Sequence, residues 1–137
     1  MANQWYDKGV EKFAAGQCTW GIGSAGDTIK AVGVSASYAF SQAHEFLADV
    51  PSLARVCTSP ALTGKSYTAG VLDADDALFT AVTGAQVIAA VVYKDTGNAA
   101  TSPLLFYIDS MTGLPFTPSG ADELITWPND AGKIAVL

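Results

Sequence analysis

The chain is poor in the residues that most chemistry needs. Among its 137 residues there is one histidine, His44, one arginine, Arg55, and two cysteines, Cys18 and Cys57. A protein that grips nucleic acid replaces phosphate counterions with Lys and Arg. Seven bases against 13 acids, with no basic cluster, give a net charge of −6 and argue against that role. The same balance disfavours an anionic membrane surface. The longest strongly apolar run, Val87 to Tyr93, is too short to cross a bilayer. The first residues, Met-Ala-Asn-Gln-Trp-Tyr-Asp, lack the basic region and apolar run of a signal peptide, so a soluble protein made inside a cell is expected. Cys18 and Cys57 stand outside any metal-ligand spacing and are expected to be free thiols, although the sequence alone leaves pairing open.

What the chain has in abundance is apolar side chains, half of all residues against 15% charged. Disorder is therefore not expected. The length suits one domain, residues 1–137, with an N-terminal helix or arm over 1–16 and a β-rich body over 27–137. Trp5, Val10 and Phe13 follow helical spacing, predicting a helix from Asn3 to Ala15 with Asn3 as cap and Gly16 as stop. Gln17 to Gly26 reads as a loop, Asp27 to Ser35 as a strand, and His44 to Ala48 as a short helix ended by Pro51. Beyond it, turn residues recur about every ten positions between short runs of Val, Ile, Thr and aromatics. The fold class expected is mainly β, an antiparallel β-sandwich or jelly-roll-like barrel with a short N-terminal helix.

Ala85 to Lys94 and Pro103 to Asp109 are apolar at both alternating sets of positions. Such strands are covered on both faces, and in a thin sandwich the second cover is expected either from the core or from another subunit. They should pair antiparallel through Asp95-Thr96-Gly97-Asn98. Glu123 to Trp127 and Lys133 to Leu137 read as a last hairpin through Pro128-Asn129-Asp130, which holds the C-terminus in a sheet.

Several motifs fail on context. Gly21-Ile22-Gly23-Ser24-Ala25-Gly26 has the dinucleotide-loop letters, but a helix precedes it and β-branched residues follow, the reverse of what that mechanism needs. Gly64-Lys65-Ser66 ends like a phosphate loop, yet Ser59 and Pro60 stand at its start. Asp73-Ala74-Asp75-Asp76 begins like a calcium loop, but Leu78 and Gly84 occupy the positions of its glycine and its bidentate glutamate. A solvated loop before a strand over Ala77 to Val82 is the ordinary reading, with a site completed by distant residues as the alternative. His44 is expected to cap or pack, since no nucleophile accompanies it. Trp5, Trp20 and Trp127 are expected to fill the core, with a sugar- or partner-binding surface as the alternative. No catalytic residue, cofactor or metal ligand is assigned, and an enzyme is not expected.

Tyr6-Asp7-Lys8-Gly9, His44-Glu45-Phe46-Leu47, Ala61-Leu62-Thr63-Gly64-Lys65, Tyr93-Lys94-Asp95-Thr96-Gly97 and Thr112-Gly113-Leu114-Pro115 together resemble a family of small structural proteins of tailed bacteriophages, over nearly the whole chain. The resemblance implies a virion protein. By analogy of size and β character it suggests a capsid decoration (cement) protein on the outer surface of the head. The partners implied are the major capsid protein and further copies of the chain, as a trimer. Trp5, Tyr6, Val10 and Phe13, placed outside the β-rich body, are the candidate partner-binding residues. A tail, baseplate or fibre-attachment component, or a receptor- or carbohydrate-binding module, is the alternative.

Overall fold

A computed structural model describes residues 4–109, 111–127 and 134–136. Among these residues the architecture is mainly β, with antiparallel pairing throughout and one α-helix. The central layer is a five-stranded sheet in the order β1 (Gln4–Trp5), β8 (Leu104–Ile108), β7 (Ala89–Lys94), β2 (Ile29–Val34) and β3 (Arg55–Thr58). A three-stranded sheet joins β10 (Ala135–Val136), β5 (Val71–Asp73) and β4 (Ser66–Thr68), and a two-stranded ribbon pairs β6 (Ala77–Phe79) with β9 (Glu123–Ile125). The layers stack like a sandwich. Among the described residues no sheet closes into a barrel, so the jelly-roll-like barrel gives way to the sandwich.

The doubly apolar strands are explained within one chain. Ile29, Ala31, Ala90, Val92, Phe106 and Ile108 form one face, covered by Trp20, Leu72, Phe79, Ile125 and Trp127 from the smaller sheets and their loops. Val32, Val34, Ala89, Val91, Leu104 and Tyr107 form the other, covered by Tyr6, Tyr38, Leu47, Val50 and Ala54. Both faces are buried by the chain itself, and no second subunit is needed to cover either. An irregularity between Val92 and Tyr93 shifts the β7–β8 register; Leu105 accordingly joins Phe106 and Ile108 on the first face. Such a bulge places two residues opposite one.

The N-terminal segment is part of this body. The helix α1 runs Asp7–Ala14, shorter than predicted, because Gln4 and Trp5 pair with Tyr107 and Phe106 at the sheet edge. Tyr6 takes the cap position without a side-chain cap, and Asn3 lies outside the described residues. Gly16 at φ +72° ends the helix. Gly16 N–H bonds the Phe13 carbonyl and Gln17 N–H the Lys12 carbonyl, the paired C-terminal bonds of a Schellman motif.

Three other expectations change. No α-helix forms over His44 to Ala48. Asp49 Oδ2 accepts from the amides of Glu45 (2.8 Å) and Phe46 (3.1 Å), and Glu45 O accepts from Leu104 N, so this backbone is committed to a bridge with the sheet. Two short 3₁₀ turns, Leu47–Asp49 and Ser52–Ala54, follow instead. The last two strands do not pair with each other: β9 pairs with β6 and β10 with β5, while the expected turn, Pro128-Asn129-Asp130, lies outside the described residues. The β7–β8 connection is longer than a tight turn and contains a 3₁₀ turn, Ala99–Thr101, whose cap Asn98 accepts from Ala100 N.

Candidate functional site

Of the four residues expected to bind a partner, the structure leaves only Val10 well exposed, at 43%. The backbone stays extended from β1 through Tyr6, so Trp5 and Tyr6 point to opposite faces. Trp5 therefore packs edge-on to Phe106 and Phe13, with centroids 4.1 and 5.5 Å apart, while Tyr6 enters the opposite core and is fully buried. Gly9 is equally committed. A Cβ there would stand 2.6 Å from the Leu104 carbonyl oxygen and 2.9 Å from Leu105 Cα, so the helix sits directly on the β8 backbone. The segment thus lies inside the body and not outside it.

The sole histidine closes a polar chain in the second core. Tyr6 and Tyr38 hydroxyls are 2.8 Å apart, and Tyr38 lies 2.8 Å from His44 Nδ1. Burial pushes the Tyr6 phenol well above its usual range and the Tyr38 phenol up to about 12, so both remain neutral hydroxyls. The chain is a satisfied polar link between segments, the packing role expected for His44.

The acidic loop is a structural junction. Trp20 Nε1 donates to the Ser66 and Asp73 carbonyls at 3.0 and 3.2 Å, and Trp127 Nε1 donates to the Asp75 carbonyl at 2.9 Å. Both indoles are buried, at 4% and 3% exposure. A sugar-binding surface built on Trp20 or Trp127 is thereby excluded; their bodies fill the core and their N–H groups hold the loop. Asp75 Oδ2 accepts from Thr63 Oγ1, and Asp76 Oδ1 from Trp127 N. Among the described residues no three His, Cys, Asp or Glu side chains converge as metal ligands.

The glycine-rich loop spends amides on its own carbonyls and on a bridge to Lys65. Gly23 N donates to Lys65 O, Ala25 N to Ile22 O and Asp27 N to Thr19 O. Asp27 Oδ2 accepts from Thr19 N at 2.7 Å. Lys65, almost fully buried, donates to the Asp27 carbonyl at 3.0 Å, and Lys94 donates to Gln17 O at 2.8 Å. Two lysines therefore clasp the two ends of the loop. Burial lowers the Lys65 pKa and raises those of Cys18 and Cys57 to about 12 and about 11. Both cysteines are free, and thiols so shifted are poor nucleophiles near neutrality.

The accessible apolar side chains lie elsewhere. Ile22, Leu53, Tyr67, Leu78 and Leu124 are exposed between 40% and 91%. Leu78 and Leu124 stand directly opposite each other on the outer face of the ribbon. Beside Leu78 runs a cleft of about 180 Å³ lined by Ser59, Pro60, Leu62, Thr63 and Asp76 among others. The signal for this face was present in the sequence. Asp76-Ala-Leu-Phe-Thr80 and Asp122-Glu-Leu-Ile-Thr126 share one alternating pattern.

No helix among the described residues is long and apolar enough to cross a membrane. No protein-family model matches the chain, and no curated protein matches it.

Proposed function

We propose that this protein is a structural component of a bacteriophage particle, a decoration protein that binds the outer surface of the capsid and stabilises the shell of major capsid protein. The observation that carries this reading is the resemblance of segments spread from Tyr6 to Pro115 to small phage virion proteins. The physical character of the fold supports it. Both faces of the central sheet are closed by the chain itself, and the tryptophans, the histidine and the acidic loop serve internal bonding. Function then falls to the exterior, where exposed leucines and a cleft offer docking surface. Many weak contacts repeated over one particle need little affinity each.

The test is location. Labelled protein added to DNA-filled heads without tails should saturate them and raise the temperature at which the shells disrupt. Labelling of isolated tails with bare heads would overturn the decoration role and favour a tail or baseplate component. Because β1 completes the sheet edge and α1 packs on β8, deleting residues 1–16 would test folding instead of docking. Val10→Glu on the exposed helix face is the cleaner probe of an N-terminal contact, and is expected to lower occupancy without lowering the melting temperature.

A further inference from the structure

The β6–β9 ribbon carries an internal two-fold pattern. The register pairs Leu78 with Leu124, flanked by Ala77 opposite Ile125 and Phe79 opposite Glu123. Carried one residue past each strand end, the alternation sets Asp76, Leu78 and Thr80 beside Thr126, Leu124 and Asp122 on the outer face. Exposure agrees: Asp76, Leu78, Thr80, Asp122 and Leu124 are exposed, Thr126 is half-buried, and Ala77, Phe79 and Ile125 are buried. The hydrogen bonds repeat the symmetry. Asp76 Oδ1 accepts from the amide of Trp127, the residue after Thr126 (3.3 Å), and Asp122 Oδ1 accepts from the amide of Ala81, the residue after Thr80 (2.9 Å). Each aspartate caps the exit of the opposite strand. The outer face is thus a rectangle with two leucines at its centre, aspartates at two diagonal corners and threonines at the other two.

Such a rectangle complements itself. Turning a second copy over about a two-fold axis in the plane of the ribbon, along or across the strands, exchanges the diagonals. Leucines then meet leucines and every aspartate lies over a threonine hydroxyl, a donor it can accept from. No acid faces an acid. We propose that the outer face of the β6–β9 ribbon is a self-association surface, at which two copies of this chain meet face to face, leucine pair on leucine pair and aspartate on threonine. The contact is isologous, the same patch on both copies.

Its strength follows from its size. Strands this short form a face well below the roughly 1,200 Å² that a stable interface buries. A dissociation constant on the order of 0.1–1 mM is expected, a contact that matters where copies are held close together. Net charge −6 on each copy opposes the encounter. Salt screens that repulsion, so association tightens as ionic strength rises, the reverse of docking onto a basic partner. The face makes this contact whatever particle the protein serves.

The experiment is sedimentation equilibrium of the full chain up to about 1 mM, at low and high salt, with a matched pair of substitutions at the exposed Thr80. A reversible dimer is expected, several-fold tighter at high salt. Thr80→Asp sets acid over acid and should weaken it at least tenfold. Thr80→Lys sets ammonium over carboxylate and should tighten it several-fold, with circular dichroism showing both variants folded. A monomer at every concentration, equal effects from the two substitutions, or wild-type association that weakens with added salt would each overturn the proposal.

Discussion

The central sheet and the β6–β9 ribbon are built from similar letters and end in opposite situations. In β7 and β8 both alternating sets are apolar, and both are sealed, one by the smaller sheets and the other by the stretch holding Tyr38, Leu47 and Val50. In β6 and β9 one set is buried beside Trp20 and Phe116, while the other leaves a leucine pair in water between acids and threonines. Apolarity on both faces therefore measures depth in the layer stack and not a missing subunit. An alternating strand that still keeps a leucine on its wet side is the better indicator of an outer contact, because alternation alone would have placed a polar residue there.

Substitutions can sharpen that contrast. Phe106→Ala, in the sealed sheet, removes a ring packed against Trp5 and Trp20. It should cost about 3–5 kcal/mol in urea unfolding; a loss below 1 kcal/mol would mean the sheet is less sealed than described. Gly9→Ala tests the seam between α1 and β8. An alanine in a helix ordinarily gains up to about 1 kcal/mol over glycine, whereas here its Cβ meets the Leu104 carbonyl. The sign should reverse, to a loss of about 1–3 kcal/mol. Tyr38→Phe deletes the hydroxyl between Tyr6 and His44 and leaves a buried phenol without that bond. A cost of about 1–3 kcal/mol follows, read as a lower urea midpoint.

Acid should act on the cover of the second core. The carboxyl of Asp49 is held below its ordinary range by the amides of Glu45 and Phe46. A depressed folded pKa stabilises above the unfolded value, near pH 4, and that stabilisation is lost as pH falls through the folded one. The melting temperature should drop below about pH 4, and less steeply in Asp49→Asn. The smallest effect belongs to the ribbon's outer face. Leu124→Ala should change stability by no more than about 0.5 kcal/mol, and a larger loss would show that this leucine is part of the fold.

Composition and alternation made the β class, the antiparallel β7–β8 pair and the stop at Gly16 legible from the sequence. Long-range pairing was not legible. Glu123 to Ile125 reads equally well as half of a terminal hairpin, and only the fit of Ile125 and Trp127 under the acidic loop sends it to β6. The His44 to Ala48 stretch has helical letters, but Leu104 N–H and the Asp49 carboxylate take the groups a helix would use. Short strands such as β4 and β5 were hidden for another reason. Their two-residue turn, Ala69-Gly70, has both residues at positive φ, and alanine does not advertise that geometry. For the site, reading helical spacing alone hid Tyr6, since the residues before the helix belong to the sheet.

The pairing of Gln4 with Tyr107 also bears on how the protein is made. The opening strand of the chain has no neighbour until the segment ending at Ile108 has been synthesised. Until then Trp5 and Tyr6 stay uncovered on the nascent chain, and the central sheet lacks its last edge. Assembly from separated segments is slow, and the waiting surface is open to wrong partners. Emergence of the segment through Ile108 is thus a condition for Gln4 and Trp5 to find their place in the sheet.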